Sequence, residues 1–254
     1  MTLYYSNELV SLYKGECISV IKNALQTKFD LVLTDLPYGK TPCEWDSIIN
    51  FEDMWDALKN VTHETTPIVL FGAEPFSSLL RCSNLKSYKY DWVYLKSIAS
   101  NFLNAKKQPL RNNELISVFY DKQCVYNPQM EKGTPYTTKQ GKCSLSVTAD
   151  KNVSNGGYVT VNNGERYPVT VTKAYTAERH YHPTQKPVAL LEYLIKTYTN
   201  KNDIVLDFTS GSGSTGVACI NTSRRCVLIE KEEKYCKIAA KRLEDAFIKN
   251  YYFE

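Results

Sequence analysis

The chain has 254 residues, 43% of them hydrophobic, enough to bury the core of one large domain with an embedded subdomain, which excludes a disordered or fibrous protein. Lys and Arg number 31 against 27 Asp and Glu, and the net charge of +4 permits an anionic partner without requiring one. The eight cysteines form no Cys-x-x-Cys pair, the start carries no signal-peptide pattern, and no stretch is long and apolar enough to span a bilayer, so a soluble, cytoplasmic protein with free thiols is expected.

In chain order, residues 9–13 read as a strand, and 16–25 as a helix with Ile18, Ile21 and Leu25 apolar. Residues 29–34 form a doubly buried strand that ends at Asp35-Leu36-Pro37-Tyr38, the place where such sheets carry their chemistry. A helix over 51–59, a strand over 67–71 and a helix over 75–81 follow, then strands over 91–96 and 115–120 joined by a long polar segment. From 121 to 179 the chain turns polar, and 158–161 and 166–171 flank Asn162-Asn163-Gly164-Glu165, a hairpin signal. Regular α/β character resumes with a helix over 187–197, a strand over 204–208, a helix over 214–220, a strand over 226–230 and a helix over 233–247.

Two loops carry chemistry. Gly211-Ser212-Gly213-Ser214-Thr215-Gly216 follows a strand and opens a helix, and Glu230 ends the next strand, where a carboxylate can accept both hydroxyls of a ribose. The pattern alone also fits NAD, but Asp207 just before the glycines would face a pyrophosphate with like charge. The cationic sulfonium and amine of S-adenosylmethionine suit it better. In the earlier loop, the Asp35 carboxylate and the Leu36 carbonyl can each accept one N–H of an amine, steering its lone pair outward. Pro37 stiffens the turn, and Tyr38 offers a stacking face for an extruded base.

These residues resemble the signatures of the amino-group DNA methyltransferases, Asp-Pro-Pro-Tyr and Asp-Pro-Phe-x-Gly-Ser-Gly. The order, catalytic loop before cofactor loop, is similar to the circularly permuted β class, and His182 to Pro187 look like its third signature. The resemblance spans about residues 4–120 and 182–243 and is weakest between them. It implies an α/β three-layer sandwich with a mainly parallel seven-stranded sheet, built from a catalytic-loop half (1–120), a partly β target-recognition insert (121–179) and a cofactor half (180–254).

It implies further that Asp35, Leu36, Pro37 and Tyr38 form the catalytic pocket. Gln185, Lys186 and Pro187 would meet the methionine part of S-adenosylmethionine, with Asp207, Thr209, Gly211, Ser212, Gly213 and Thr215 beside them, Glu230 on the ribose, and Glu16 and Cys17 near the adenine ring. Leu36 stands in place of the family's first proline and Thr209 in place of its phenylalanine. The initial aspartate is more typical of adenine enzymes, so N6-adenine is favoured. Cytosine N4, an RNA base, a glutamine amide, an NAD-dependent dehydrogenase and a DNA-binding module without catalysis stay open.

Residues 86–111 carry a local net charge of +5, which could track the phosphates of double-stranded DNA through Lys106, Lys107 and Arg111, with Phe102, Asn104 and Asn112 near the base. A homodimer and a cognate restriction endonuclease are partners that such an enzyme can have. Three histidines without clustered cysteines give no metal site, and His182 reads as structural or cofactor-proximal rather than as a general base.

Overall fold

The computed structural model describes residues 2–39, 46–140, 158–176, 181–182 and 184–252. Cys43 and Cys143 lie outside them. The chain divides into two compact units, Met1–Asn127 with Thr170–Glu254, and Pro128–Val169.

The larger unit begins with strands β1 (Thr2–Ser6) and β2 (Val10–Lys14), then α1 (Cys17–Ala24), β3 (Leu31–Asp35), α2 (Phe51–Val61), β4 (Ile68–Gly72), α3 (Phe76–Ser83), β5 (Tyr88–Ser100) and β6 (Arg111–Phe119). The smaller unit holds β7 (Glu131–Lys132), β8 (Tyr136–Gln140), β9 (Tyr158–Asn162) and β10 (Glu165–Arg166). The chain then returns to the larger unit as β11 (Val171–Tyr175), α4 (Val188–Tyr198), β12 (Ile204–Asp207), α5 (Ser214–Asn221), β13 (Arg225–Glu230) and α6 (Glu233–Tyr252). Among the described residues no helix is long and apolar enough to cross a membrane.

Strand alternation builds the layers. In β3, Leu31 and Leu33 pack with Val69, Phe71 and Val205 against residues of α4, α5 and α6, while Val32 joins Leu70 and Leu206 against α1, α2 and α3. Both faces of the sheet are therefore covered. Its order is β1-β2-β13-β12-β3-β4-β6-β5-β11, parallel except where β1 meets β2 and where β6 meets β4 and β5. Neighbours β3 and β12 run in register, Val205 beside Leu31 and Leu206 beside Val32, so their C-terminal loops emerge side by side.

The α/β class and mainly parallel sheet match expectation, but the sheet has nine strands rather than seven. The first extra strand, β1, is an exposed edge whose polar residues carry no buried period. The second, β11, falls in a stretch whose composition reads as insert, yet it pairs parallel with β5. The expected hairpin is also corrected. The turn at Gly164 exists, with φ at 97° and its N–H donated to Asn162 Oδ1 at 2.8 Å, but β9 pairs with β8 while β10 pairs with β7. Pro168, which lacks an N–H, ends pairing soon after β10, so residues 166–171 do not form one strand.

The segment between β5 and β6 is shorter than expected, because both strands extend outward as a two-stranded arm, Ser100 opposite Arg111. Past Leu115, opposite Gly72 at the end of β4, β6 has four residues of arm, a length of about 13 Å. Water on both faces removes the apolar alternation that would have announced it.

Gly216 marks the tightest packing behind the glycine loop: a Cβ there would lie 2.5 Å from Leu243 Cδ2 and 2.7 Å from Leu228 Cδ1. Gly216→Ala is expected to destabilise the fold by about 1–3 kcal/mol, read as a lower urea midpoint at unchanged slope. An unchanged midpoint would show that α5 can shift without cost.

Candidate active site

One pocket opens along the C-terminal rim of β2, β13, β12, β3 and β4. Its wall includes Glu16, Cys17, Asp35, Leu36, Pro37, Tyr38, Gln185, Lys186, Asp207, Thr209, Gly211, Ser212, Thr215 and Glu230. Two motifs about 170 residues apart in sequence thus share one cavity. Pro187 and Gly213 do not line it. Pro187 is the extended N-cap residue that starts α4, and Gly213, at φ 78°, turns the chain into α5 where a Cβ would meet Ala239 Cβ at 2.9 Å. Lys106, Lys107 and Arg111 also lie outside the pocket, exposed on the β5–β6 arm.

The two loops are joined directly. Thr34 donates its hydroxyl to Asp207 Oδ1 at 2.5 Å, and Thr209 donates its own to the Asp35 carbonyl at 2.9 Å, with the two hydroxyls 2.8 Å apart. The residue that replaces the expected phenylalanine therefore supplies a cross-link, and Thr34, which sequence reasoning missed, supplies its counterpart. From α6, Arg242 donates to the Ser212 carbonyl at 2.7 Å and to the Ser212 and Ser214 hydroxyls at 3.0 Å, fixing the glycine loop from behind.

Burial sets the charges. Asp207 is 4% exposed, and burial pushes its pKa up to about 6 against the hydroxyl and backbone bonds that lower it. Burial likewise raises Glu230 to about 7, although Oε2 accepts the Gly211 N–H at 2.7 Å and Oε1 the Glu232 N–H at 2.8 Å. Two desolvated carboxylates beside a glycine loop fit a ligand that brings positive charge and hydroxyl donors. Gln185 Nε2 and Ser210 Oγ are buried without a hydrogen-bond partner among the described residues, as donors reserved for an acceptor such as a ligand carboxylate would be. Glu16 has a second role, since its carboxylate caps α1, accepting from Ile18 N at 3.1 Å and Ser19 N at 2.8 Å. Beside it, burial pushes the Cys17 thiol up to about 12 and keeps it protonated.

At the other end, both Asp35 oxygens are engaged, Oδ1 by the Tyr38 hydroxyl and Oδ2 by the Lys186 ammonium, each at 2.5 Å. Lys186, 7% exposed, also contacts Glu114 Oε2 at 3.2 Å, so it ties the Asp35 loop to β6. Glu114 was missed because it looks like a solvated residue at the start of a strand. Its signal is a lone carboxylate entering the mostly apolar run Leu115 to Phe119, broken only by Ser117. The Tyr38 ring lies tilted on Phe76, centroids 5.1 Å apart, and Asp46 Oδ1 accepts the Gly39 N–H at 2.9 Å.

His182 sits edge-on to Tyr235 at 4.2 Å, and burial lowers its pKa to about 4, so it stays neutral at ordinary pH. Among the described residues no group of three or more His, Cys, Asp or Glu is placed to hold a metal ion. One residue of the basic segment is already spent: Lys96 pairs with Glu114 at 2.9 Å and is withdrawn from any phosphate.

A carboxyl raised in the folded state favours that state when protonated, so the Glu230 contribution is present below the unfolded value of 4.5 and is lost as pH rises through about 7. Glu230→Gln is expected to flatten the fall in urea midpoint of the ligand-free protein between pH 5 and pH 8 relative to wild type. Parallel curves would mean that Glu230 is not desolvated.

The profile of a family described as DNA methylases, the N6/N4 type, matches residues 29–241. The chain is 44% identical over 259 residues to the DNA adenine methyltransferase YhdJ of Escherichia coli (strain K12), covering 95% of this chain and 85% of that protein. It is 25% identical over 277 residues to the type II methyltransferase M.ScaI of Streptomyces caespitosus, covering 95% and 83%. Among solved structures it is similar to a complex of M1.HpyAVI with S-adenosylmethionine, with a TM-score of 0.65, 24% identity and coverage of 92% and 100%. It is also similar to the cytosine-N4-specific PvuII DNA methyltransferase, with a TM-score of 0.67, 13% identity and coverage of 99% and 96%, a likeness of fold.

Proposed function

The chain belongs to the family of N6/N4 DNA methylases and is an enzyme of that family, and on this footing we propose that it methylates the exocyclic amine of adenine in double-stranded DNA. The observation that carries the reading is the pair of side-chain bonds that join the Asp35 loop to the Asp207 loop, which supports it because an amine held at Asp35 would then lie beside a cofactor held at Asp207. The adenine choice rests on the aspartate that opens the catalytic loop and on the relative named an adenine enzyme at 44% identity.

S-adenosylmethionine, when bound, supplies an electrophilic methyl group on a sulfonium. Asp207 and the glycine loop would hold its charged end, Gln185 and Ser210 its carboxylate, and Glu230 the ribose hydroxyls. An adenine turned out of the duplex, at a cost of a few kcal/mol, stacks on Tyr38, whose ring is held by its bond to Asp35 and by Phe76. The Asp35 carboxylate and the Leu36 carbonyl each accept one N–H of the amine, which turns the nitrogen lone pair toward the methyl group. Displacement is then direct, with no covalent enzyme intermediate. The Cys17 thiol at the pocket wall stays protonated and takes no part.

The β5–β6 arm rises from the same rim as Asp35, since Gly72 ends β4 opposite Leu115 and β4 runs parallel to β3. Lys106, Lys107 and Arg111 on it would meet phosphates. The Thr-, Asn- and Lys-rich unit Pro128–Val169 is the candidate for reading base edges.

Asp35→Ala is expected to abolish methyl incorporation into DNA while leaving cofactor affinity, measured by calorimetry, nearly intact. Nucleoside analysis of DNA treated with wild type should show N6-methyladenine, and N4-methylcytosine would reject the base assignment. Replacing Lys106, Lys107 and Arg111 with alanine should weaken DNA binding alike for all sequences and cut the slope of log affinity against log salt by about 0.9 for each phosphate no longer neutralised. An unchanged slope would remove the arm from the DNA face.

A further inference from the structure

Behind Asp35 runs a line of alternating charge: Asp35 Oδ2 to Lys186 Nζ at 2.5 Å, Lys186 Nζ to Glu114 Oε2 at 3.2 Å, and Glu114 Oε1 to Lys96 Nζ at 2.9 Å. Two anions and two cations balance, and the line ends at Lys96, whose side chain is 25% exposed. The Lys186 ammonium donates hydrogen bonds to Asp35 Oδ2 and, at 3.4 Å, to the Thr184 carbonyl, whereas its contact with Glu114 Oε2 is an ion pair that leaves this oxygen without a hydrogen bond among the described residues. The sharing is unequal. Lys186 holds Asp35 tightly and Glu114 loosely, and the Asp35 oxygen it holds is one of the two open to a substrate amine.

We infer that Lys186 is a placeholder for the substrate amine and that Glu114 is the positioning residue that makes the exchange possible. Before a base enters, the ammonium occupies Asp35 Oδ2 and fixes the carboxylate in its orientation. When the amine donates to that oxygen, Lys186 yields ground and closes the looser contact with Glu114. Without Glu114, release would strand a buried ammonium, a state that proteins strongly disfavour. The inference rests on Asp35 being the amine acceptor, as proposed above.

The same geometry sets the charge of Asp35. Burial and the negative charge of Glu114 raise its pKa, while Lys186, and more weakly the Tyr38 hydroxyl, lower it. Tyr94 on β5 and Asp207 on β12 also feel the Asp35 charge, and neither adds a cation. Removing Glu114's charge therefore lowers the Asp35 pKa, and removing Lys186's charge raises it. Opposite shifts report the two charges acting on Asp35, and the exchange itself is read from the plateau: a fixed ion pair would leave it unchanged in Glu114→Gln, and an unlowered plateau overturns the placeholder role.

The test is the pH dependence of single-turnover methylation of duplex DNA with both substrates saturating, for wild type, Glu114→Gln and Lys186→Met. Glu114→Gln is expected to lower the plateau about tenfold and to move the acid limb to lower pH by about half a unit or more. Cofactor and DNA affinities should stay unchanged. Lys186→Met should move the limb to higher pH. Should Lys186→Met fail to fold, Glu114→Asp serves in its place: restoring the charge must return the limb to its wild-type position. Limbs that stay put, or that shift the same way in both variants, overturn the placeholder role. Asp35→Ala, which removes the acceptor, separates the two levels, since an active Asp35→Ala enzyme defeats the reading of the site itself, whereas an inactive one beside unmoved limbs defeats only this inference.

Discussion

The hydroxyl of Thr34 on a buried carboxylate oxygen of Asp207 is the interaction on which the rest of this site depends. It spans two neighbouring parallel strands at their C-terminal ends and converts sheet register into a fixed relation between two loops. Thr209, bonded to the Asp35 carbonyl, repeats the link one step further out. Because every partner is buried or half-buried, these bonds act where water cannot compete, and neither loop can swing without stranding a polar group. An amine acceptor and a cofactor pocket are useful only at a fixed separation, and here the separation is set by strand pairing.

Much of the site was legible because its residues break local rules. An aspartate, a leucine and a proline at the end of an apolar strand, and two glycines between a strand and a helix, make sense only if something must approach the backbone. The layers were legible for a similar reason: strands buried on both faces read as continuous apolar runs, and the helices that cover them show a 3.6-residue stripe. What failed was whatever depends on partners rather than on local pattern. Residues 158–162 are a strand, as expected, but their turn could not say that β8 and not β10 is their neighbour. Edge strand β1 and the β5–β6 arm carry no buried face to give them a period. Glu114 is a single charge whose meaning comes from Lys186, 72 positions away.

Charge is placed differently at the two ends of the pocket. At the cofactor end, Asp207 and Glu230 are buried and neither makes an ion pair among the described residues, a state that costs stability and invites a positively charged ligand. At the base end, Asp35 is half-buried with a cation in hand, and that cation in turn pairs with Glu114. On the proposed reading, one end would be neutralised by what binds, and the other would carry its own counterion until an amine arrives. Substitutions that look similar, an amide for a carboxylate, should therefore act differently at the two ends.

The central claim, that the acceptor loop and the cofactor loop face one another across the Thr34–Asp207 bond, is tested most directly by a crystal structure of the protein with S-adenosylhomocysteine. The account predicts the ribose hydroxyls on Glu230 and the sulfur turned toward Asp35. A ligand seated with its sulfur directed away from Asp35, or bound outside this pocket, would contradict it.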